Sequence, residues 1–211
     1  MRGRGHYSRL LAEVIIMLEW ALDENFDVVF INNADTSTHK YFCPVCRALL
    51  TVKNRDFEGR KKLKHYAHYT YTKCLANMAF GETLAHINVK LFLYNKLKHS
   101  KTFAAFLKAR MGESSQYIEI DILKGVETVE LEKQTVGTLI PDISLFSGGK
   151  VKRVIEVVVT HEDSEYKRLV YALKGIMCFR IKASDEVYHR LKRGGSPIFD
   201  VKGQPISKVL A

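Results

Sequence analysis

Apolar residues near the start of the chain, Leu10, Leu11, Val14, Ile15, Leu18 and Leu22, recur at three- and four-residue spacing and predict an amphipathic helix resting on a core. Val28, Val29, Phe30 and Ile31 then read as a short strand closed by the turn-rich Asn32-Asn33-Ala34-Asp35. Gly81 opens the strongest helical pattern, residues 82–99, with Leu84, Ile87, Leu91 and Tyr94 as its main apolar face. Two β-rich runs, 117–123 and 128–131, flank Lys124-Gly125-Val126-Glu127 and predict a hairpin, and 139–146 with 151–160 predict a second strand pair about Gly148-Gly149. Residues 162–173 read as helix, 176–181 as a short apolar strand, and 184–193 as a last helix ended by Gly194-Gly195. The order helix, strands, helix, strand, helix after Gly81 is that of an α/β (α+β) core. No run of 18 apolar residues occurs, so no membrane span is expected. The basic-then-apolar start is broken by Glu13 and Glu19, which argues against a secretory signal.

Length and charge sharpen this picture. The chain has 211 residues, 46% of them apolar, with 4 Pro, which excludes disorder and collagen and suits one domain carrying at most a small module. Its formal net charge is +10, and it is unevenly spread. Residues 47–73 hold Arg47, Lys53, Arg55, Arg60, Lys61, Lys62, Lys64 and Lys73 against only Asp56 and Glu58, so more than half of the net charge sits in one short segment. Tyr66, Tyr69 and Tyr71 are interleaved with these cations, a mixture that suits phosphate neutralisation and base stacking. A solvated basic loop is the plain alternative. Arg55, Arg60, Lys61, Lys62 and Lys64 are the candidate DNA-binding residues.

Cys43-Pro-Val-Cys46 is followed after 18 residues by His65 and His68, and after 5 more by Cys74. These are five candidates for the four places of a tetrahedral zinc site, in which a C-x2-C turn supplies two thiolates and a later pair completes the shell. A redox dithiol would call for a thioredoxin-like strand and helix, and basic loop and turn residues surround this pair instead. Four cysteines are too few for a secreted disulfide scaffold, and three of them gathered with histidines in a 32-residue stretch point to metal binding in a reducing compartment, and hence to the cytoplasm. Cys178, within Ile176-Met177-Cys178-Phe179, reads as a buried core thiol.

Asp142 and Glu156 each stand alone in an otherwise apolar strand pattern, where a carboxylate is costly unless paired or metal-bound. If the two strands are neighbours, both carboxylates can converge on one divalent cation, a hard ion that prefers oxygen; two unrelated edge carboxylates are the alternative. Glu82, His86 and Lys90 align on one helix face at four-residue spacing, either as a solvated stripe or as the border of a cleft, since Val89 and Leu93 fall beside His86.

Taken in order, Cys43-Pro-Val-Cys46, His65-Tyr-Ala-His68, Glu82 with His86 and Lys90, Pro141-Asp142, and Ile155-Glu156-Val157 running into Thr160-His161 resemble the competence protein CoiA-like nuclease family, a branch of the PD-(D/E)xK superfamily. The resemblance implies a zinc-binding module on a restriction-endonuclease-like mixed-sheet core flanked by helices, with Mg²⁺- or Mn²⁺-dependent cleavage of DNA. It divides the chain into an N-terminal helix and strand (1–40), a zinc module (41–76) and a nuclease core with a C-terminal helix (77–211). It implies Asp142 and Glu156 as ligands of the catalytic metal, Glu82 as a further acid, and Cys43, Cys46, His68 and Cys74 as zinc ligands. Spacing alone leaves His65 open as the fourth. The family's Lys or Gln two residues after the second acid is here Val158, and Lys90 is the candidate replacement, with Thr160 or His161 as possible helpers. Two rivals follow: a nuclease-like DNA-binding protein that has lost its chemistry, and a protein-interaction module, an inhibitor or adaptor in phage or mobile-element conflict, that sets its basic face against an acidic partner.

Overall fold

The computed structural model describes residues 17–57, 60–69, 74, 83–111, 114–132, 136, 139–159 and 165–201. Within them the chain is a mixed α+β structure with two sheets and three α-helices. Five strands, β1 (Trp20–Leu22), β2 (Val28–Phe30), β3 (Tyr41–Phe42), β4 (Leu49–Phe57) and β5 (Arg60–His68), form an antiparallel sheet in the order β2-β1-β3-β4-β5. Helix α1 (Leu84–Lys98) leads into the second sheet, made of β6 (Ala104–Met111), β7 (Ser114–Asp121), β8 (Thr128–Leu131), β9 (Ile143–Ser147), β10 (Lys150–Val158), β11 (Met177–Lys182) and β12 (Ile198–Asp200). Its order is β7-β6-β12-β11-β10-β9-β8. The pairs β10–β11 and β12–β6 are parallel, and helix α2 (Glu165–Leu173) makes the crossover from β10 to β11. Helix α3 (Asp185–Lys192) precedes β12.

Several sequence expectations hold: the strand at 28–30, the β9–β10 pair, the three helices and β11. Others are corrected. Residues 20–22 form a strand rather than the end of a helix, because β1 is sandwiched between β2 and β3 and its backbone groups are taken by both; residues 17–19 are not helical either, with Leu18 bridging Tyr66, and the part of that expected helix before Met17 lies outside the described residues. The hairpin expected about Gly125 does not form. Strand β7 pairs with β6, a strand that the pattern did not announce, while β8 pairs with β9, so the two runs end on opposite edges of the sheet. The boundary expected at residue 40 does not separate β1 and β2 from β3, β4 and β5, which share one sheet.

Helix α1 is the axis of the molecule. It contacts β1 of the first sheet, β8 and β10 of the second, and α3, so it is buried nearly all round, from Ala85 to Leu93 and again at Leu97. This excludes the solvated-stripe alternative for His86 and Lys90, which with Asn88 are 7%, 3% and 0% exposed. Buried polar groups need partners. Asn88 finds them in the segment entering β1, accepting from the Glu19 N–H at 3.3 Å and donating to the Met17 carbonyl at 2.9 Å. Glu19 in turn accepts from the Tyr188 hydroxyl at 2.7 Å and the Lys192 ammonium at 2.6 Å, tying the first sheet to α3. No helix among the described residues is long and apolar enough to cross a membrane.

Candidate functional site

The C-x2-C segment is a tight turn after β3. The Arg47 N–H donates to the Cys43 carbonyl and the Cys43 N–H to the Ala48 carbonyl, both at 2.9 Å, which points Cys43 and Cys46 to one side. The register of β4 and β5 brings up the histidine: Leu50 lies opposite His68 and Val52 opposite Tyr66. Because side chains alternate along a strand, Tyr66 and His68 share a face and His65 is on the other. His68 Nε2 lies 3.3 Å from Cys46 Sγ, and Cys43 Sγ lies 3.8 Å from Cys74 Sγ. His65 instead turns to the Leu63 carbonyl at 3.2 Å. The ligand atoms of Cys43, Cys46, His68 and Cys74 all fall within 4.8 Å of one another. Tetrahedral zinc with Zn–S near 2.3 Å separates two sulfurs by about 3.8 Å. The cluster therefore fits zinc in donor type, number and spacing. Burial pushes the Cys43 thiol up to about 12, so a cation is needed to hold that thiolate.

The second cluster is built on α1. Thr83 caps the helix by accepting from the His86 N–H at 3.2 Å, which fixes the first turn, and His86 and Lys90 follow one turn apart on the face turned to the second sheet. Asp142 sits one residue before β9, next to the Ile143–Ile155 pair of β9 and β10. Its Oδ2 accepts from the Val157 N–H at 2.7 Å and lies 3.3 Å from His86 Nε2, and its Oδ1 lies 3.8 Å from Lys90 Nζ. Lys90 also donates to Glu132 at the end of β8, a residue that no sequence motif singles out. Burial raises the Asp142 pKa, but the His86 hydrogen bond and the charges of His86 and Lys90, with the Val157 N–H, outweigh it and hold the carboxyl below its ordinary value.

Glu156 is placed differently. It is 3% exposed and accepts from the Tyr171 hydroxyl and, at 3.2 Å, from Lys167 Nζ, both on α2. Its strand neighbours divide in the same way: Val154 packs with Tyr171, Ile176 and Cys178, while Ile155 and Val157 belong to the core around α1. The strands of Asp142 and Glu156 are neighbours, as expected, but the two carboxylates bond to different helices. Asp142 precedes the first paired residue of β9 and so turns toward α1, free of the alternation that directs Glu156 to α2. Glu82, Thr160 and His161 lie outside the described residues. Cys178 is buried, in keeping with a core thiol.

The basic segment is a β-ribbon and not a loop. Strands β4 and β5 pair from Leu50–His68 outward to Phe57–Arg60, about 25 Å of ribbon at roughly 3.3 Å per residue. Its base joins the core through Leu50 and Tyr66, and its outer half carries Arg55, Arg60, Lys61, Lys62 and Lys64. Arg55 pairs in register with Leu63, and Lys64 with Asn54.

Residues 29–77, from β2 through Cys74, match the family model described as Competence protein CoiA, N-terminal domain. No curated protein and no solved structure matches the chain. The matched stretch contains all four members of the Cys3His cluster and the whole basic ribbon, and over these residues the chain is CoiA-like.

Proposed function

We propose that the protein is a metal-dependent deoxyribonuclease whose Cys3His cluster holds a structural zinc and whose basic ribbon engages DNA. One observation carries the reading: the buried Lys90 reaches from α1 to the partly buried Asp142, supplying a cation near the acid where Val158 supplies none. Asp142 stays anionic and offers an oxygen donor of the kind a hard cation prefers. The resemblance adds Glu82 and Glu156 as further acids, Glu156 only by giving up its contacts with Tyr171 and Lys167 on α2. A bound Mg²⁺ or Mn²⁺ would supply an activated water and a counter-charge at the phosphate. Lys90 contributes positive charge that interacts most strongly with a phosphate gaining charge in the transition state. His86 contacts the Oδ2 oxygen of the Asp142 carboxylate and Lys90 the Oδ1.

The test is cleavage of single-stranded, duplex and branched DNA with either metal. Cleavage should require the metal, vanish in Asp142→Ala, and fall in Lys90→Ala far more in turnover than in DNA affinity, because a group acting on developing charge contributes mainly in the transition state. If Lys90→Ala cleaves at the wild-type rate, the relocated-lysine assignment is wrong.

A second reading, a nuclease-like DNA-binding protein without catalysis, is favoured by the engagement of Glu156 with Tyr171 and Lys167. Binding of DNA with no cleavage under either metal selects it. Absence of both binding and cleavage selects a protein-interaction module.

A further inference from the structure

Three non-glycine residues among those described have a left-handed backbone: Phe26 at φ 64°, Arg47 at φ 61° and Glu132 at φ 47°. They come from three separate turns, and all three line one cleft of about 310 Å³ between the zinc module, the β1–β2 turn and α1. Glycine takes this conformation at no steric cost, and other side chains strain it. Such strain concentrates at binding and catalytic sites, where the side chain itself is needed.

The chemistry of the cleft indicates its occupant. Phe26 is held at the tip of the β1–β2 turn, where Asp23 Oδ1 accepts from the Asn25 and Asp27 N–H groups, both at 2.9 Å, and its ring is 71% exposed. The Arg47 guanidinium lies over that ring, 5.7 Å from its centroid. Lys98 stands on the α1 wall, 3.1 Å from the exposed Asp27, and the inner end reaches Lys90 and Glu132. An open aromatic face backed by a guanidinium, with cations on both walls, suits one unstacked base and its flanking phosphates. The volume lies at the lower end of the range for small-ligand sites, enough for a unit of nucleotide size.

We propose that this cleft receives a single-stranded nucleic-acid segment, with a base stacked on Phe26 and phosphates at Arg47 and Lys98, and leads the strand toward Lys90 and Asp142. A phosphate at Lys98 takes the place of the exposed Asp27 carboxylate. The inference deepens the nuclease reading and rests on its nucleic-acid substrate, but not on cleavage.

The experiment is fluorescence anisotropy of labelled oligothymidylate and of a duplex of the same length, with no divalent metal added. Phe26→Ala should weaken single-strand binding about tenfold and Phe26→Tyr should restore it, with duplex binding changed by less than about twofold. Arg47→Gln should flatten the dependence of log affinity on log salt by about 0.7 for the single strand. Because Phe26 is exposed, unaltered thermal unfolding of Phe26→Ala is expected and confirms that the loss is local. Single-strand binding by Phe26→Ala equal to wild type, or binding of duplex alone by wild type, overturns the cleft assignment and leaves DNA binding standing. A wild-type protein that binds neither overturns both.

Discussion

The imidazole of His68 lies 3.3 Å from the thiol of Cys46 because His68 faces Leu50, four residues beyond that cysteine, across the β4–β5 ribbon. A three-residue shift along β5 reaches His65, whose side chain belongs to the other face. Purified protein should therefore carry one zinc per chain. His65→Ala should retain it, whereas Cys43→Ser or His68→Ala should lose it in metal analysis. Chelation should lower the thermal midpoint, since metal affinity of such a cluster is folding free energy. Full zinc content in His68→Ala with loss in His65→Ala would reverse the assignment.

DNA affinity should be largely electrostatic. Each phosphate that the ribbon no longer neutralises should flatten the log-affinity against log-salt slope for duplex DNA by about 0.9. Reversing Arg60, Lys61, Lys62 and Lys64 together should weaken binding and reduce the slope by several such steps. The ribbon is also slender enough for a duplex major groove, which admits two strands. An unchanged slope would remove the ribbon from the interface and turn attention to a protein partner.

Asp142 links stability to pH. Its folded pKa is depressed below 3.8, its ordinary value, so its contribution is fully present above that pH and is lost as pH falls below it through the folded value. Without added divalent metal, Asp142→Asn should flatten the acid limb of the stability profile below about pH 4 and leave its shape near neutrality unchanged. Urea denaturation across the acid range measures this. An acid limb identical to wild type would mean that His86 and Lys90 do not act on Asp142 in solution.

The sequence was most legible where chemistry imposes its own spacing. The C-x2-C turn and the ribbon's cations were visible because ligand geometry and charge do not depend on distant packing. Lys90 was visible as a candidate, but its burial was not: α1 packs against both sheets, so its apolar residues surround the helix and no polar face is left to read. Strands β6 and β12 were missed because β6 mixes Lys108 with small Ala104 and Ala105, and β12 has only three residues. Register across strands distant in sequence, such as Ile198 against Phe106, is set by the completed sheet and leaves little local trace. The left-handed turns at Phe26, Arg47 and Glu132 escaped notice for a related reason: such a turn is usually announced by glycine or asparagine, and none stands at these positions.

Glu156 gives the sharpest test of how the two carboxylates cooperate. Its buried carboxylate is held by the Tyr171 hydroxyl and the Lys167 ammonium, on the side of the sheet opposite the helix that holds Asp142. For Glu156 to serve the same cation as Asp142, its carboxylate must turn from α2 toward α1 and give up Lys167, a charge that is about one-third exposed and so able to leave. Removing that competitor should strengthen metal binding, because only the difference in free energy between the lysine-paired and metal-bound arrangements moves the equilibrium. Lys167→Ala should therefore lower the Mg²⁺ concentration for half-maximal cleavage several-fold, while Glu156→Gln abolishes cleavage and keeps an oxygen for the Tyr171 hydroxyl. Tyr171→Phe, which withdraws a donor from a buried carboxylate, should cost about 1–3 kcal/mol of stability in urea denaturation. If Lys167→Ala leaves the Mg²⁺ requirement unchanged and Glu156→Gln still cleaves, Glu156 serves the fold alone, and the metal relies on Asp142 with donors from the α1 side.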